Sequence, residues 1–357
     1  MSQKTLDRSE ASAATAAETP LLDIRDLKKY FPIRSGLLQR HAGDVQAVDG
    51  ITFSIRRGET LGLVGESGCG KTTTGRLIAR IYDPTDGSIT MNTGDKTFEV
   101  AQLRGEELHD YWRNVQIIFQ DPYSSLNPRR TVMQIIEEPL VCLSDMPTMK
   151  RRERVEELLE LVGLDPRHAE RFPHAFSGGQ RQRIGIARGI ALNPELLVAD
   201  EAVSALDVSI QGQILNLMIR LQRELDLTYL FVSHDLGTVK HVSDRIAVMY
   251  VGKLVELTDS ESLFRKPLHP YTEVLLSSVP RPNPHVRAQR IIPQGDVADP
   301  ANKPKGCPFH PRCRYAQDIC RSAEPEWRNL GDDAAPRHVA CHRAHELDLK
   351  GALGANT

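Results

Sequence analysis

The sequence predicts an α/β fold in which a mainly parallel sheet is covered by helices on both faces, with a helical insertion and an irregular C-terminal extension. Three observations predict it. Short, continuously apolar runs, such as residues 61–65 and 229–233, have the length of buried strands. These runs alternate with helix-periodic segments, which implies parallel strands joined by crossover helices. Beyond about residue 260 the chain turns Pro-rich and loses its periodicity.

The 357 residues, 40% hydrophobic and 26% charged, have the composition of a globular protein. A net charge of -2 argues against a protein held on nucleic acid by a broadly basic surface. No apolar run approaches the roughly 18 residues of a spanning helix. Residues 1–20 are rich in Ala, Ser, Thr and Glu and lack a basic segment followed by an apolar core. They are expected to form a disordered tail, not a secretory signal. The chain is therefore expected in the cytoplasm, with any membrane role exerted through a partner.

Taken in order, β-type segments near 22–27 and 47–55 precede a third at 60–64, and the polar insert 34–43 is expected to be a loop. The third strand runs into a glycine-rich turn and a helix starting near Lys71. A strand near 115–119 leads into a Pro-rich turn, and residues 131–175 are expected to be wholly helical. There Val155, Leu158, Leu159 and Val162 fall on one face, and Gly163 stands at the C-terminal cap. Alternation then resumes with a helix at 179–192, a strand at 196–200, a helix at 209–225 and strands at 229–233 and 245–250. This organisation places the main domain at 21–260, with a helical subdomain at about 121–175, and the extension at 261–357.

Gly65-Glu66-Ser67-Gly68-Cys69-Gly70-Lys71-Thr72 fits G-x-x-x-x-G-K-[ST] at every fixed position, between a strand and a helix as the motif requires. Its glycines let the backbone wrap phosphate, and the helix that opens with Lys71, Thr72 and Thr73 adds its N-terminal partial charge. Lys71 is matched to the β- and γ-phosphates and the Thr72 hydroxyl to Mg²⁺. Residues 196–201 form an apolar strand ending in Asp200 and Glu201. Asp200 is placed to hold Mg²⁺ through water, and Glu201 to accept a proton from the attacking water. These observations identify a nucleoside triphosphate site.

Phe176-Ser177-Gly178-Gly179-Gln180-Arg181-Gln182 resembles the signature sequence of ABC ATPases. The resemblance implies a P-loop ATPase core with an antiparallel β subdomain and an inserted helical subdomain. It also implies head-to-tail pairing of two ATPase domains, so that Ser177, Gly178, Gly179 and Gln180 close over the ATP held by a partner. Gln120 resembles the Q-loop glutamine, a contact of Mg²⁺ or water. Asp207 resembles the D-loop aspartate, His234 the switch histidine of the γ-phosphate, and Tyr30 the aromatic residue that stacks on adenine. Glu201, His234, Gln120 and Lys71 are thereby the implied catalytic residues.

Residues 119–128, 203–209 and 269–272 resemble those of the oligopeptide/dipeptide importers, and the likeness extends over roughly residues 21–345. Ala202 departs from the proline that many members carry. The resemblance implies an ATPase subunit on the cytoplasmic face of the inner membrane. Its implied partners are a second ATPase subunit, in a heterodimer or homodimer, two transmembrane permease subunits and an external solute-binding protein. A glutathione-like peptide or a nickel chelate remains an alternative cargo. An exporter motor and a soluble ABC ATPase acting on ribosomes or DNA are the rival functions.

Four of the six cysteines, Cys307, Cys313, Cys320 and Cys341, crowd the C-terminal region. In a reducing compartment they suit a metal site, either zinc or an iron–sulfur cluster. Their gaps are wider than those of common structural zinc sites. The family resemblance implies a [4Fe–4S] cluster, with zinc as the alternative.

Overall fold

The computed structural model describes residues 19–35, 40–121, 123–279, 290–332 and 335–352. The expected N-terminal tail lies largely outside them.

Strands β1 (Leu22–Ser35) and β2 (Arg40–Ile55) form a long antiparallel ribbon. The insert expected as a loop is mostly strand, since Ile33 pairs with Gly43, Arg34 with His41 and Ser35 with Arg40. Residues 36–39 lie outside the described residues. An antiparallel ribbon exposed to water needs no continuous apolar face, which is why its polar end carries no strand signal. After β3 (Thr60–Val64) and α1 (Lys71–Ile78), β4 (Asp86–Asn92) and β5 (Thr97–Glu99) join the ribbon in a sheet ordered β2-β1-β4-β5.

Helix α2 (Gly105–Asn114) and strand β6 (Val115–Ile118) lead to α3 (Val132–Leu143) and α4 (Thr148–Leu161). Residues 131–175 are thus not wholly helical, because Pro147, Gly163, Pro166 and Pro173 interrupt them and leave single 3₁₀ turns at 166–168 and 173–175. Thr131 and Gln134 cap α3 reciprocally. At the end of α4, Leu164 N–H donates to the Leu159 carbonyl at 2.8 Å around Gly163, whose φ is +75°. That is a Schellman turn, with Gly163 in the left-handed position.

The chain continues through α5 (Gly178–Gly189), β7 (Leu196–Asp200), α6 (Val208–Leu225), β8 (Thr228–Ser233), α7 (Leu236–Val242), β9 (Arg245–Tyr250) and β10 (Lys253–Asp259). The last elements are α8 (Ser260–Arg265), α9 (Pro270–Ser277), α10 (Asp318–Ser322), β11 (Arg328–Asn329) and β12 (His338–Val339). The main sheet has the order β11-β12-β10-β9-β3-β8-β7-β6. Strands β6, β7, β8, β3 and β9 are parallel, while β10, β12 and β11 are antiparallel. The segment beyond residue 260 is therefore not wholly irregular, since Val339 and His338 extend the main sheet by pairing with Glu256 and Leu257.

Alternate residues of the parallel strands face different cores. Leu197, Ala199, Tyr229, Phe231, Ile246 and Val248 pack with α3 to α6, whereas Leu196, Val198, Leu230, Val232, Ala247 and Met249 pack with α1 and the β1–β2 ribbon. Both faces are covered, so the period of two is hidden in sequence as continuous apolar runs. This double covering fixes the carboxyl ends of β3, β8, β7 and β6 at one edge, where the candidate site lies.

Candidate active site

The phosphate loop leaves β3 at Gly65. A Cβ on Gly65 would lie 2.1 Å from the Met249 carbonyl oxygen, and one on Gly70 would lie 2.1 Å from that of Ala47. Gly70 also has φ +108°. Glycine is required there by both conformation and space. Ser67 and Gly68 form the exposed tip, while Cys69 is buried.

Helix α1 begins with no side-chain cap and no acidic residue in its first turn. Its N-terminal amides and partial positive charge are left for an anion. Lys71, 4% exposed, donates from Nζ to the carbonyls of Gly65 at 2.9 Å and Glu66 at 3.0 Å. Thr73 follows in the same turn.

Thr72 Oγ1 donates to Asp200 Oδ1 at 2.9 Å. Burial pushes the Asp200 carboxyl above its ordinary pKa, and the Thr72 hydroxyl offsets part of that effect. A hydroxyl beside a buried carboxylate is a hard oxygen donor set with charge to spare, which suits Mg²⁺.

Glu201 follows β7 directly and adopts φ +49°, unusual for a side chain of its size. Its N–H donates to the Val232 carbonyl at 3.0 Å, and Ser204 Oγ donates to its own carbonyl at 2.9 Å. Gln120, two residues beyond β6, donates from Nε2 to Glu201 Oε2 at 2.8 Å. His234, immediately after β8, places Nδ1 3.2 Å from the same oxygen. Three strand ends therefore converge on one carboxylate.

Tyr30 pairs with Gln46 of β2, and the carbonyl of the next residue, Ala47, closes on Gly70. Its hydroxyl donates to Asp49 at 2.6 Å, and Asp49 also pairs with Lys303 at 2.9 Å. The signature turn lies elsewhere. Ser177 caps α5 through Gln180, and the reciprocal bond returns from Gln180 to the Ser177 N–H. Gly179 packs so tightly on Ile210 that a Cβ would meet it at 2.5 Å. Asp207 caps α6, beside an 84% exposed Val208. Ser177, Gly178, Gly179, Gln180 and Asp207 thus form a second cluster, and the side-chain bonds of Ser177, Gln180 and Asp207 are local to the starts of α5 and α6.

An ABC transporter family model matches residues 48–204, and the C-terminal region of oligopeptide/dipeptide transporters matches residues 255–320. The chain is 56% identical to the oligopeptide transport ATP-binding protein AppF of Bacillus subtilis, covering 92% of this chain and 98% of that protein. The chain belongs to the ATP-binding subunits of the oligopeptide/dipeptide ABC transporters. It is 46% identical to the dipeptide transport ATP-binding protein DppF of Escherichia coli, over 91% of this subunit and 94% of the relative. Among solved structures it resembles the dimeric post-hydrolysis state of the ATP-binding cassette MJ0796 bound to ADP and Pi. That likeness has TM-score 0.58 and 27% identity and covers 67% of this chain and 98% of the other. The subunit is an ABC-type ATPase of the P-loop fold with mixed α/β sheets. Among the described residues no helix is long and apolar enough to cross a membrane.

Cys307, Cys313, Cys320 and Cys341 are unpaired thiols lining one small cavity. Burial pushes Cys307 up to about 12 and Cys341 up to about 11. Among the described residues no three or more His, Cys, Asp or Glu side chains converge on one metal-ion position. That arrangement lends support to neither the iron–sulfur expectation nor the zinc alternative. His310 and His342 bond to backbone carbonyls of Cys307 and Ala323.

Sequence reasoning noted Tyr271 only within the 269–272 resemblance, with no link to the phosphate loop, and missed Arg312. Both bond to Glu66 of the phosphate loop, Tyr271 accepting from its N–H and Arg312 donating to its carboxylate. They lie 205 and 246 residues away, and no local pattern marks such a pairing.

Proposed function

We propose that this subunit hydrolyses ATP to power import of oligopeptides, dipeptides or related small solutes, with Glu201 as the general base. The observation that carries the residue assignment is the convergence of Gln120 and His234 on the Glu201 carboxylate, next in sequence to the Asp200 that pairs with Thr72. The phosphate loop binds the β- and γ-phosphates through its amides, and Lys71 turns from the Gly65 and Glu66 carbonyls to the anion. Thr72 and Asp200, with Gln120, hold Mg²⁺, which when bound neutralises charge on the transferring phosphoryl group. Gln120 and the Glu201 carboxylate orient the water, Glu201 takes its proton, and His234 reaches the γ-phosphate. Tyr30 offers its ring to adenine.

The separation of Ser177–Gln180 and Asp207 from the phosphate loop supports a composite site completed by a second ATPase subunit. Two ATP molecules then favour a closed pair, and hydrolysis reopens it. The partners are two membrane permease subunits at the cytoplasmic face of the inner membrane and an external solute-binding protein. Exposed Tyr123, Val141 and Met149 on the 121–175 helical region offer apolar surface for a permease. The antiparallel sheet of β1, β2, β4 and β5 is proposed as one subdomain, this helical region as another, and residues 261–357 as the extension. A strain lacking the chromosomal copy tests the function. We expect labelled tripeptide uptake with the wild-type chain and none with Lys71→Ala. Uptake that survives this substitution would contradict the proposal.

The four thiols are proposed to hold a [4Fe–4S] cluster. The support is the donor set: four buried or half-buried free cysteines around one cavity, with burial disfavouring the thiolate of Cys307, Cys313 and Cys341 in the absence of a cation. Such a cluster gives each thiolate its own iron, so the ligands need not converge on one point. Anaerobically purified protein is expected to show broad visible absorption and about four irons per chain, both lost in Cys313→Ser/Cys320→Ser. A colourless, iron-free wild type would contradict it.

A further inference from the structure

Glu66 is the second residue of the phosphate loop, and the C-terminal part of the chain grips it at two points. Its N–H donates to the Tyr271 hydroxyl at 2.8 Å. Its carboxylate accepts from the two terminal guanidinium nitrogens of Arg312, at 2.8 and 3.2 Å. The Arg312 side chain is 8% exposed and that of Glu66 29%, so this forked pair is shielded from water and salt on the arginine side. The aromatic rings beneath it are closely packed. Tyr271 lies 4.6 Å from Tyr250 and 5.4 Å from Phe309, centroid to centroid.

The electrostatics give the contact a purpose. An acidic side chain in a loop that receives a polyphosphate opposes binding unless its charge is neutralised. Arg312 neutralises it and also fixes the loop's first turn. The same C-terminal stretch reaches the other end of the site. Lys303, 11% exposed, pairs with Asp49 at 2.9 Å, and Asp49 accepts the Tyr30 hydroxyl. The Pro300 carbonyl accepts the N–H of Gln46, the residue opposite Tyr30.

We infer that Arg312 is a positioning residue for ATP: by pairing with Glu66 it neutralises and fixes the phosphate loop, so that nucleotide affinity depends on the C-terminal extension. This rests on the reading of residues 65–72 as the phosphate site. The extension is then a bracket on the ATPase site as well as an appendage to it. Because Arg312 ends the single turn between Cys307 and Cys313, the arrangement of the thiol-lined cavity also bears on where its guanidinium lies.

The test is a double-mutant cycle on the full-length chain, with Arg312→Ala, Glu66→Ala, the pair together, and Arg312→Lys. Binding of a fluorescent N-methylanthraniloyl ATP and the KM and kcat of ATP hydrolysis are read for each. Arg312→Ala, which leaves Glu66 unpaired beside the phosphates, is expected to raise Kd and KM roughly tenfold, with kcat nearly unchanged. Adding Glu66→Ala is expected to restore most of the affinity, and Arg312→Lys to restore part of it. An unchanged Kd and KM in Arg312→Ala, or effects of the two positions that simply add, overturns the proposal. Lys71→Ala is the control. If it loses nucleotide while Arg312→Ala does not, only the positioning role fails; if it too binds normally, the phosphate-site reading fails. Should Arg312→Ala not fold, Arg312→Lys and Glu66→Gln decide by the same KM-against-kcat split.

Discussion

Glu201 is held in a backbone conformation that costs about 1 kcal/mol or more for a non-glycine residue, and Ser204 and Val232 bond to its backbone on either side. That strain aims the carboxylate out of the sheet edge, where Gln120 and His234 meet it. Removing the Gln120 amide loosens the proposed base without removing it. We expect Gln120→Ala to lower kcat about tenfold, at the weak end of what such positioning groups contribute, with KM for ATP little changed. Steady-state hydrolysis at saturating Mg²⁺ checks this. Gly70 is constrained more severely, since a side chain there would meet the Ala47 carbonyl and require a disfavoured φ. Gly70→Ala is expected to abolish nucleotide binding and to lower the thermal midpoint, as read by fluorescence and calorimetry.

At the scale of elements, His269 links packing to pH. It is fully buried, and burial drives its pKa down to about 3. Its unprotonated Nδ1 accepts the Tyr271 N–H at 3.0 Å and so caps α9. In the unfolded chain the ring takes a proton near pH 6.5, whereas in the folded chain it does not until about pH 3. Stability from this group is therefore full above pH 6.5 and is lost as pH falls towards 3. The loss by pH 4.5 is about 2–3 kcal/mol. His269→Asn keeps a capping acceptor and removes the titration, so its acid limb should be flatter than wild type in urea melts between pH 7 and 4.5. The neighbouring Glu256, whose carboxyl burial pushes up, acts in the opposite sense but is common to both proteins. Elsewhere, Gly163→Ala at the Schellman turn should cost about 1 kcal/mol by the same melts.

The whole molecule shows which parts of this architecture its sequence reveals. Strands β3, β7 and β8 were legible because both faces are buried and their interiors are continuously apolar. The phosphate loop was legible because its glycines are demanded locally, at Gly65 and Gly70, by backbone carbonyls. The roles of Gln120 and His234 came from family resemblance, since nothing in their spacing announces that both reach Glu201. The far end of the β1–β2 ribbon was not legible, because solvent on one face removes the apolar signal. Nor was the two-residue strand β12, which owes its existence to the edge of β10. The Arg312–Glu66 pair has no local signature at all. If Ser177–Gln180 complete a partner's site, as proposed, activity is expected to rise with the concentration of paired subunits. The central claim is that Glu201 is the base for ATP hydrolysis, and single-turnover hydrolysis by Glu201→Gln tests it most directly. We expect nucleotide affinity close to wild type and hydrolysis slowed by at least about 100-fold, the scale of a lost general base. A near wild-type hydrolysis rate in that variant would contradict the account.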